Sequence, residues 1–116
     1  MTTITIRKRR SRGGSYAAEY LVERDGVLLA ICTGNQLMAS EPSIGAAERN
    51  ASLMAAAFAG EPLPAGWAVE VGGGNYRVRD SAGRIAAWRR YGYLAKETST
   101  IAEIEAMPQE LKGPRP

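Results

Sequence analysis

The stretch from residue 43 to residue 60 (SIGAAERNASLMAAAFAG) constrains the fold most, because it has a clear helical period. Its apolar residues recur at steps that place them on one helix face: they are Ile44, Ala47, Ala51, Met54 and Phe58. Ser43 is a good N-cap, Gly60 suits the position after the last turn, and Pro62 prevents continuation. We therefore expect one amphipathic helix over residues 43–60, covered by a sheet.

A β-hairpin is predicted over residues 16–33, where Asp25-Gly26 is a strong signal for a two-residue turn. Such a turn gives the pairs Arg24–Val27, Val22–Leu29 and Tyr20–Ile31. The predicted core face then consists of Tyr20, Val22, Leu29 and Ile31. Cys32 is expected on the other face, as a small structural hydrophobe and not as a reactive thiol.

A second hairpin is predicted over residues 76–93, around the turn Asp80-Ser81-Ala82-Gly83. The simplest register pairs Arg79 with Arg84, Val78 with Ile85 and Tyr76 with Ala87. Its core face consists of Tyr76, Val78, Ile85 and Ala87. The opposite face consists of Arg77, Arg79, Arg84, Trp88 and Arg90. A bulge in either strand would shift this register by one residue.

The remaining pattern adds a strand over residues 2–6, a strand over 67–71 and a short helix over 98–107. The order is three strands, a helix, three strands and a helix. We expect a single α+β domain over residues 1–116, in which an antiparallel sheet of two hairpins and flanking strands packs on the 43–60 helix. Residues 109–116 are expected to form a disordered tail.

Composition limits the chemistry, since the chain contains no histidine and one cysteine. Histidine-based acid–base catalysis, nucleophile–histidine pairs and most zinc sites are therefore excluded. No pair of carboxylates is placed for catalysis. We expect a non-enzymatic protein without a cofactor or a metal. A signal peptide and a membrane span are also not expected, and the predicted location is the cytoplasm.

The arginine and tryptophan face of the second hairpin is the best candidate for a contact surface. Forked guanidinium groups could hold phosphates while the Trp88 indole stacks on a base. The same face could dock on an acidic protein surface, because arginine and tryptophan are frequent hot-spot residues. A solvated outer face, with Trp88 half-covered by arginine stems, is the alternative without a function.

A second basic cluster follows the first strand and consists of Arg7, Lys8, Arg9, Arg10 and Arg12. It is either the end of that strand or part of a mobile basic arm over residues 1–14, since two glycines follow it. The cluster suits non-specific attraction to phosphates, or it serves as a solubilising end.

The central segment of the helix, residues 47–57 (AERNASLMAAA), resembles the E-A-N-A-x-L-I-A-A-A segment of small accessory proteins of tailed bacteriophages. In those proteins a hairpin with an Asp-Gly turn often precedes the segment, as Asp25-Gly26 does here. The resemblance implies a small non-enzymatic phage protein. Such proteins are frequently inhibitors of host defence, including anti-CRISPR proteins and sponges for cyclic-nucleotide signals.

The functional expectation is therefore a phage-type binding protein that blocks a host protein or ribonucleoprotein complex through protein–protein contact. The alternative is a nucleic-acid or nucleotide binder that uses the same arginine and tryptophan face. Self-assembly through the first strand is a further alternative, with a symmetric homodimer as the default oligomer.

Overall fold

The computed structural model describes residues 3–10, 16–91 and 98–109, which form a six-stranded antiparallel sheet and two helices. In chain order the elements are β1 (Ile4–Arg10), β2 (Ala17–Arg24), β3 (Val27–Asn35), α1 (Ile44–Phe58), β4 (Ala68–Gly72), β5 (Asn75–Arg79), β6 (Ile85–Arg90) and α2 (Thr98–Ala106). The strand order in the sheet is β1-β2-β3-β6-β5-β4. Two three-stranded halves thus meet at β3 and β6, and the predicted α+β fold is confirmed.

Helix α1 begins and ends close to the predicted residues. The Ser43 Oγ accepts a hydrogen bond from the Ala46 backbone N–H at 3.1 Å, which caps the first turn. Gly60 follows the last turn with a φ of +110°, a conformation that favours glycine. The buried positions include Ala47, Ala51, Met54 and Phe58, so the predicted apolar stripe does face the core.

Both helices pack on the same side of the sheet and share one hydrophobic core with it. Its fully buried side chains include Val22, Cys32, Met54, Leu63, Tyr76 and Ile104. Helix α1 lies mainly on β2 and β3, whereas α2 contacts β4 and β5. The opposite side of the sheet, on which no described helix packs, is called the outer face below.

The first hairpin has the predicted turn but a different register. Asp25 and Gly26 both have positive φ, at 51° and 84°, as a type I′ turn requires. A bulge between Val22 and Glu23 then leaves Leu29 as an extra residue in β3. Beyond the bulge the pairs are Val22–Ala30, Tyr20–Cys32 and Leu21–Ile31. The predicted pairs of Val22 with Leu29 and of Tyr20 with Ile31 were therefore wrong. Cys32 lies in the core, and Ile31 faces outward.

The second hairpin is also bulged, between Val78 and Arg79. The observed pairs are Val78–Ala87, Tyr76–Arg89 and Arg79–Ile85, in place of the three pairs predicted for the simplest register. Tyr76, Val78 and Ala87 are buried in the core as expected. Ile85 was wrongly assigned to the core face, because the bulge turns its side chain to the outer face and puts Ala86 in the core. Residues 92 and 93 of the predicted hairpin lie outside the described residues.

The two ends of the chain differ from their predicted boundaries. Strand β1 extends from Ile4 to Arg10 and is longer than the strand predicted over residues 2–6. Of the predicted arm, residues 7–10 thus belong to the sheet, and 11–14 lie outside the described residues. At the other end, Gln109 forms an isolated bridge with Leu63, and residues 110–116 lie outside the described residues.

A close approach between β3 and α1 positions the loop over residues 36–42. A Cβ atom on Gly34 would overlap the backbone carbonyl of Ser43, so glycine is needed where the strand passes the helix start. The Asn35 backbone N–H donates to the Pro42 carbonyl at 2.8 Å. The close approach of Gly34 to Ser43 and the Asn35–Pro42 hydrogen bond hold the two ends of the loop together.

Candidate functional site

A continuous row of side chains crosses all six strands on the outer face. Cross-strand pairing places its members directly opposite one another, so their side chains share this face. In sheet order the row consists of Arg7, Leu21, Ile31, Trp88, Arg77 and Glu70. Leu21 and Ile31 are buried within the row, whereas Arg77 is exposed.

A groove of about 880 Å³ lies on the second half of this row and extends across β3 towards the start of β2. Its lining includes Thr33, Asn75, Arg77, Arg79, Trp88 and Arg90. Trp88 is half-buried and lies between Ile31 of β3 and Arg77 of β5. The indole is therefore partly covered by its neighbours in the sheet and partly exposed.

The structure brings four of the five predicted contact residues together in this groove, namely Arg77, Arg79, Trp88 and Arg90. Arg84 lies elsewhere, in the turn before β6. Its Nε donates to the Ala39 carbonyl at 3.2 Å, so it tethers the 36–42 loop. Arg84 itself does not line the groove, although its chain neighbours Gly83 and Ile85 do, and its predicted role in contacting a partner stays a prediction.

The arginines of the groove differ in how far their charges are compensated. The Arg79 Nε donates to the Glu70 carboxylate, and its Nη1 donates to the Gly83 carbonyl at 3.0 Å. Within the described part of the chain, the side chains of Arg77 and Arg90 have no hydrogen-bond or ion-pair partner. Arg77 on β5 lies opposite Trp88 on β6. Arg90 lies two residues after Trp88 on β6. Two guanidinium groups without a hydrogen-bond or ion-pair partner among the described residues thus lie beside one indole.

Three carboxylates border the groove and were not part of the predicted site. They belong to Glu19, Glu41 and Glu70. Glu70 bonds to Arg79, and Glu19 bonds to Arg9. No sequence pattern pointed to these residues, because cross-strand partners come from distant parts of the chain. The lining is therefore mixed in charge and not uniformly basic.

The N-terminal basic cluster lies apart from the groove and is largely paired. The Arg7 Nε is 3.1 Å from a Glu23 oxygen, and the Arg9 Nε is 2.8 Å from a Glu19 oxygen. The Glu23 carboxylate raises the pKa of Arg7 above its usual value through this hydrogen bond and through charge attraction. Lys8 is on the helix side, 5.9 Å from the centre of the Tyr20 ring.

Two predicted members of this cluster fall wholly or partly outside the described part of the chain. The backbone of Arg10 belongs to β1, whereas its side chain and the whole of Arg12 lie outside that part. The described arginines of the cluster act mainly within the sheet, and the groove is therefore the better candidate for a contact surface.

Arg89 is a further basic residue that sequence reasoning did not select. It pairs with Tyr76 on the helix side of the sheet, and its guanidinium group lies 4.7 Å from the centre of the Tyr91 ring. Its Nη1 donates to the Arg90 carbonyl at 2.6 Å. Arg89 thus contacts the backbone at the end of β6, next to the exposed residue Arg90.

The one cysteine has no chemical role in the groove. Cys32 is fully buried in the core, and burial raises the pKa of its thiol to about 12. A thiol with this pKa is protonated at neutral pH and is a poor nucleophile. Among residues 3–10, 16–91 and 98–109, no three cysteine, aspartate or glutamate side chains are grouped so that they could hold a metal ion.

Comparisons with protein-family models, with curated proteins and with solved structures find no match for this chain. No helix within the described part of the chain is long and apolar enough to cross a membrane.

Proposed function

We propose that this protein is a non-enzymatic binding domain whose outer-face groove recognises an acidic segment of a partner protein. The observation that supports this function best is the half-buried Trp88 beside Arg77 and Arg90, whose guanidinium groups have no hydrogen-bond or ion-pair partner among the described residues. A partner aspartate or glutamate would form a forked, charge-assisted pair with either arginine. The indole would supply apolar contact area beside that pair.

The surroundings of the groove favour a protein partner over a nucleic acid. The carboxylates of Glu19, Glu41 and Glu70 border it and would repel a ligand with many negative charges. The groove therefore suits a segment with one or two carboxylates better than a chain of phosphates. On the loop that forms one wall, the side chains of Leu37 and Met38 are 69% and 51% exposed. Methionine, arginine and aromatic residues are enriched where proteins meet. Residues 40–42 of this loop line the groove, and Leu37 and Met38 lie further along the same loop.

The resemblance of the 47–57 segment to phage accessory proteins extends this proposal to the partner. In that case the acidic segment belongs to a host protein or ribonucleoprotein complex, and the domain acts by occupying a surface that the host factor needs. The site of action is then the host cytoplasm.

A nucleotide is the second candidate ligand, and one observation favours it. A base could stack on Trp88 while its phosphates contact Arg77 and Arg90, since a free nucleotide is small enough to avoid the bordering carboxylates. Affinity for a phosphate-bearing ligand would fall steeply with salt. The experiment below separates the two ligands.

The decisive experiment compares Arg77→Glu with Arg49→Glu. Both change the net charge equally, but Arg49 is exposed on α1, on the helix side of the sheet. The tagged protein is used to capture partners from a nuclease-treated bacterial lysate at moderate salt, and the amount of each captured protein is measured. We expect Arg77→Glu and Trp88→Ala to reduce capture of a specific protein by about tenfold or more, since they remove a charge-assisted pair and its apolar neighbour. Arg49→Glu should change it by less than about threefold, as is usual for exposed charges.

A fluorescence titration tests the ligand class directly. Trp67 is buried, so Trp67→Phe leaves Trp88 as the single tryptophan that reports on the groove. An acidic peptide, ATP and a thymidine oligonucleotide are added in turn. A response to the peptide that Arg77→Glu removes supports the proposal. A response to ATP alone, or equal losses in Arg77→Glu and Arg49→Glu, contradicts it.

A further inference from the structure

Strand β1 is one edge of the sheet, and the register defines which of its backbone groups are free. The Asp25 N–H donates to the Thr3 carbonyl at 3.0 Å, so these two residues form a hydrogen-bonded pair. Such pairs alternate along an antiparallel ladder. Thr5, Arg7 and Arg9 therefore bond to β2. The N–H and carbonyl groups of Ile6 and Lys8 point away from β2, towards the free edge.

The pairing on the other side of β2 supports the same assignment. The Gln36 N–H donates to the Tyr16 carbonyl at 2.9 Å. By alternation, Tyr20 and Cys32 then form a hydrogen-bonded pair. Glu19 and Leu21, on either side of Tyr20, are left to bond to β1, as the register with Arg9 and Arg7 requires.

The usual devices that block an edge are largely missing from β1. Its pairing with β2 runs over seven residues without a bulge, and its sequence contains no proline. Among the described residues, no segment pairs with its free side. The device that remains is charge, which natural edge strands use to prevent self-association. Two copies of β1 would bring their four consecutive basic residues together, so a second copy is a poor occupant.

The same charges fit an acidic strand. The side chains of Arg7 and Arg9 are 59% and 48% exposed although each bonds to a glutamate of β2. A guanidinium group has five N–H donors, so each can contact a second carboxylate on its free side. Ile6 precedes Arg7 and is 41% exposed on the helix side, so it offers an apolar position on the other face of the strand.

We propose that β1 is a docking edge for an extended acidic segment of a partner protein, which adds to the sheet as a seventh strand. Backbone hydrogen bonds at Ile6 and Lys8 would supply the affinity, and the arginines would select the acidic sequence, as in other cases of strand addition. This site uses the free edge of β1, which does not line the groove, although Arg9 bonds to Glu19 at the border of the groove.

The test uses a short peptide with glutamate at alternate positions and threonine or valine between them. Amide hydrogen exchange of the full chain is followed by NMR. We expect the peptide to slow exchange at Ile6 and Lys8, whose N–H groups become bonded. Arg7 and Arg9, already bonded to β2, should change little. The same measurement is repeated without peptide at several protein concentrations. If exchange at Ile6 and Lys8 slows as the protein concentration rises, a second copy occupies the edge, and the proposal is overturned.

Ile6→Pro and Ile6→Ala form the matched pair of variants. Both lose the apolar side chain, but proline also removes one outward N–H and leaves the ladder to β2 intact. We expect Ile6→Pro to weaken peptide binding about tenfold relative to Ile6→Ala, the effect of about one strong hydrogen bond. Equal affinities would overturn strand addition. If Ile6→Pro does not fold, the exchange pattern of the unmodified chain decides the question.

Two control probes separate strand addition from charge attraction. The same peptide with a central proline keeps its charge but cannot form the ladder, and the same peptide with lysine for glutamate keeps the ladder but reverses the charge. Both should bind at least about tenfold more weakly. A proline peptide or a thymidine oligonucleotide that binds as well as the original, without protection of Ile6 and Lys8, would identify β1 as a non-specific basic surface and overturn the proposal.

Discussion

The two halves of the sheet share a topology but differ in what their outer-face arginines do. In the first half, β2 supplies Glu23 and Glu19, which bond to Arg7 and Arg9. In the second half, β6 is IAAWRR and contains no acidic residue. One carboxylate, that of Glu70 on β4, is engaged by Arg79. The neighbouring strand thus decides whether an arginine bonds to a glutamate within the sheet. Arg77 and Arg90, which have no such bond among the described residues, lie beside Trp88.

The largest expected effect comes from Met54→Ala, which tests whether the halves are one cooperative unit. Met54 is fully buried where α1 covers the first half. Truncation of such a side chain costs about 2–5 kcal/mol of unfolding free energy. Urea denaturation should show a lower midpoint and a single transition, with the same midpoint by fluorescence and by circular dichroism. A separate transition for the second half would break the comparison, because the halves would then be independent domains.

The next effect depends on pH and concerns Cys32. Because burial raises the pKa of its thiol from 9.0 to about 12, the folded state favours the neutral form. Below pH 9 the Cys32 thiol is neutral in the folded and the unfolded state, so its burial contributes fully to the free energy of unfolding. It is lost as the pH rises from about 9 to about 12, at about 1.4 kcal/mol per pH unit.

The variant Cys32→Ala should lose that part of the pH dependence. Urea denaturation at about pH 8 and at about pH 10 measures it, and the unmodified chain should lose about 1 kcal/mol more than the variant over this range. Burial also raises the pKa of Tyr76, so a residual slope is expected in both proteins. Identical slopes would show that the Cys32 thiol is exposed in the folded protein.

Tyr76→Phe tests the hydrogen bond that joins the halves. The Tyr76 hydroxyl on β5 donates to the Leu29 carbonyl on β3, and its removal leaves a buried acceptor unpaired. We expect a loss of about 1–3 kcal/mol in chemical denaturation. Tyr20→Phe is the matched control, since Tyr20 is also a buried residue and its hydroxyl has no hydrogen-bond partner among the described residues. Equal losses in the two variants would contradict a special role for the junction.

The smallest effect sharpens the comparison of the arginines themselves. Arg9→Gln breaks an exposed ion pair and should lower stability by less than about 1 kcal/mol. Arg77→Gln removes a charge that has no partner among the described residues and should leave stability unchanged. A double-mutant cycle of Arg9 with Glu19 measures the coupling. A larger loss for Arg77→Gln than for Arg9→Gln would mean that Arg77 is structural.

The sequence predicted the elements of this fold better than their registers. Local signals were sufficient for α1 and for the Asp25-Gly26 turn, because caps and turn residues act within a few positions. The bulges at Val22 and Val78 were not predictable, since an extra apolar residue leaves the alternating pattern ambiguous. Leu29 and Ala30 are both buried, so hydropathy alone could not decide which of them is the extra residue.

The sequence predicted which arginines lie near Trp88 in the candidate site, but it did not predict which of them form hydrogen bonds or ion pairs. Trp88 and Arg77 lie on one face in either register, so their proximity survived the shift. The pairing of Arg79 with Glu70, and of Arg84 with the Ala39 carbonyl, depends on contacts between segments that are far apart in the chain. Which arginines remain available could therefore not be known before the strands were placed.

The junction of the halves has a thermodynamic consequence for anything that binds in the groove. β2 and β3 are paired along their whole length, whereas β3 and β6 meet at Ile31 and Trp88. The groove extends over both sides of that seam. A ligand bound on Trp88 would contact β3 and β6 at once and would stabilise their pairing. Because a ligand that binds only the assembled state shifts the unfolding equilibrium by mass action, occupancy of the groove should raise the melting temperature in proportion to the logarithm of ligand concentration. The melting temperature of the chain can therefore serve to screen many compounds and peptides for the one that the groove binds.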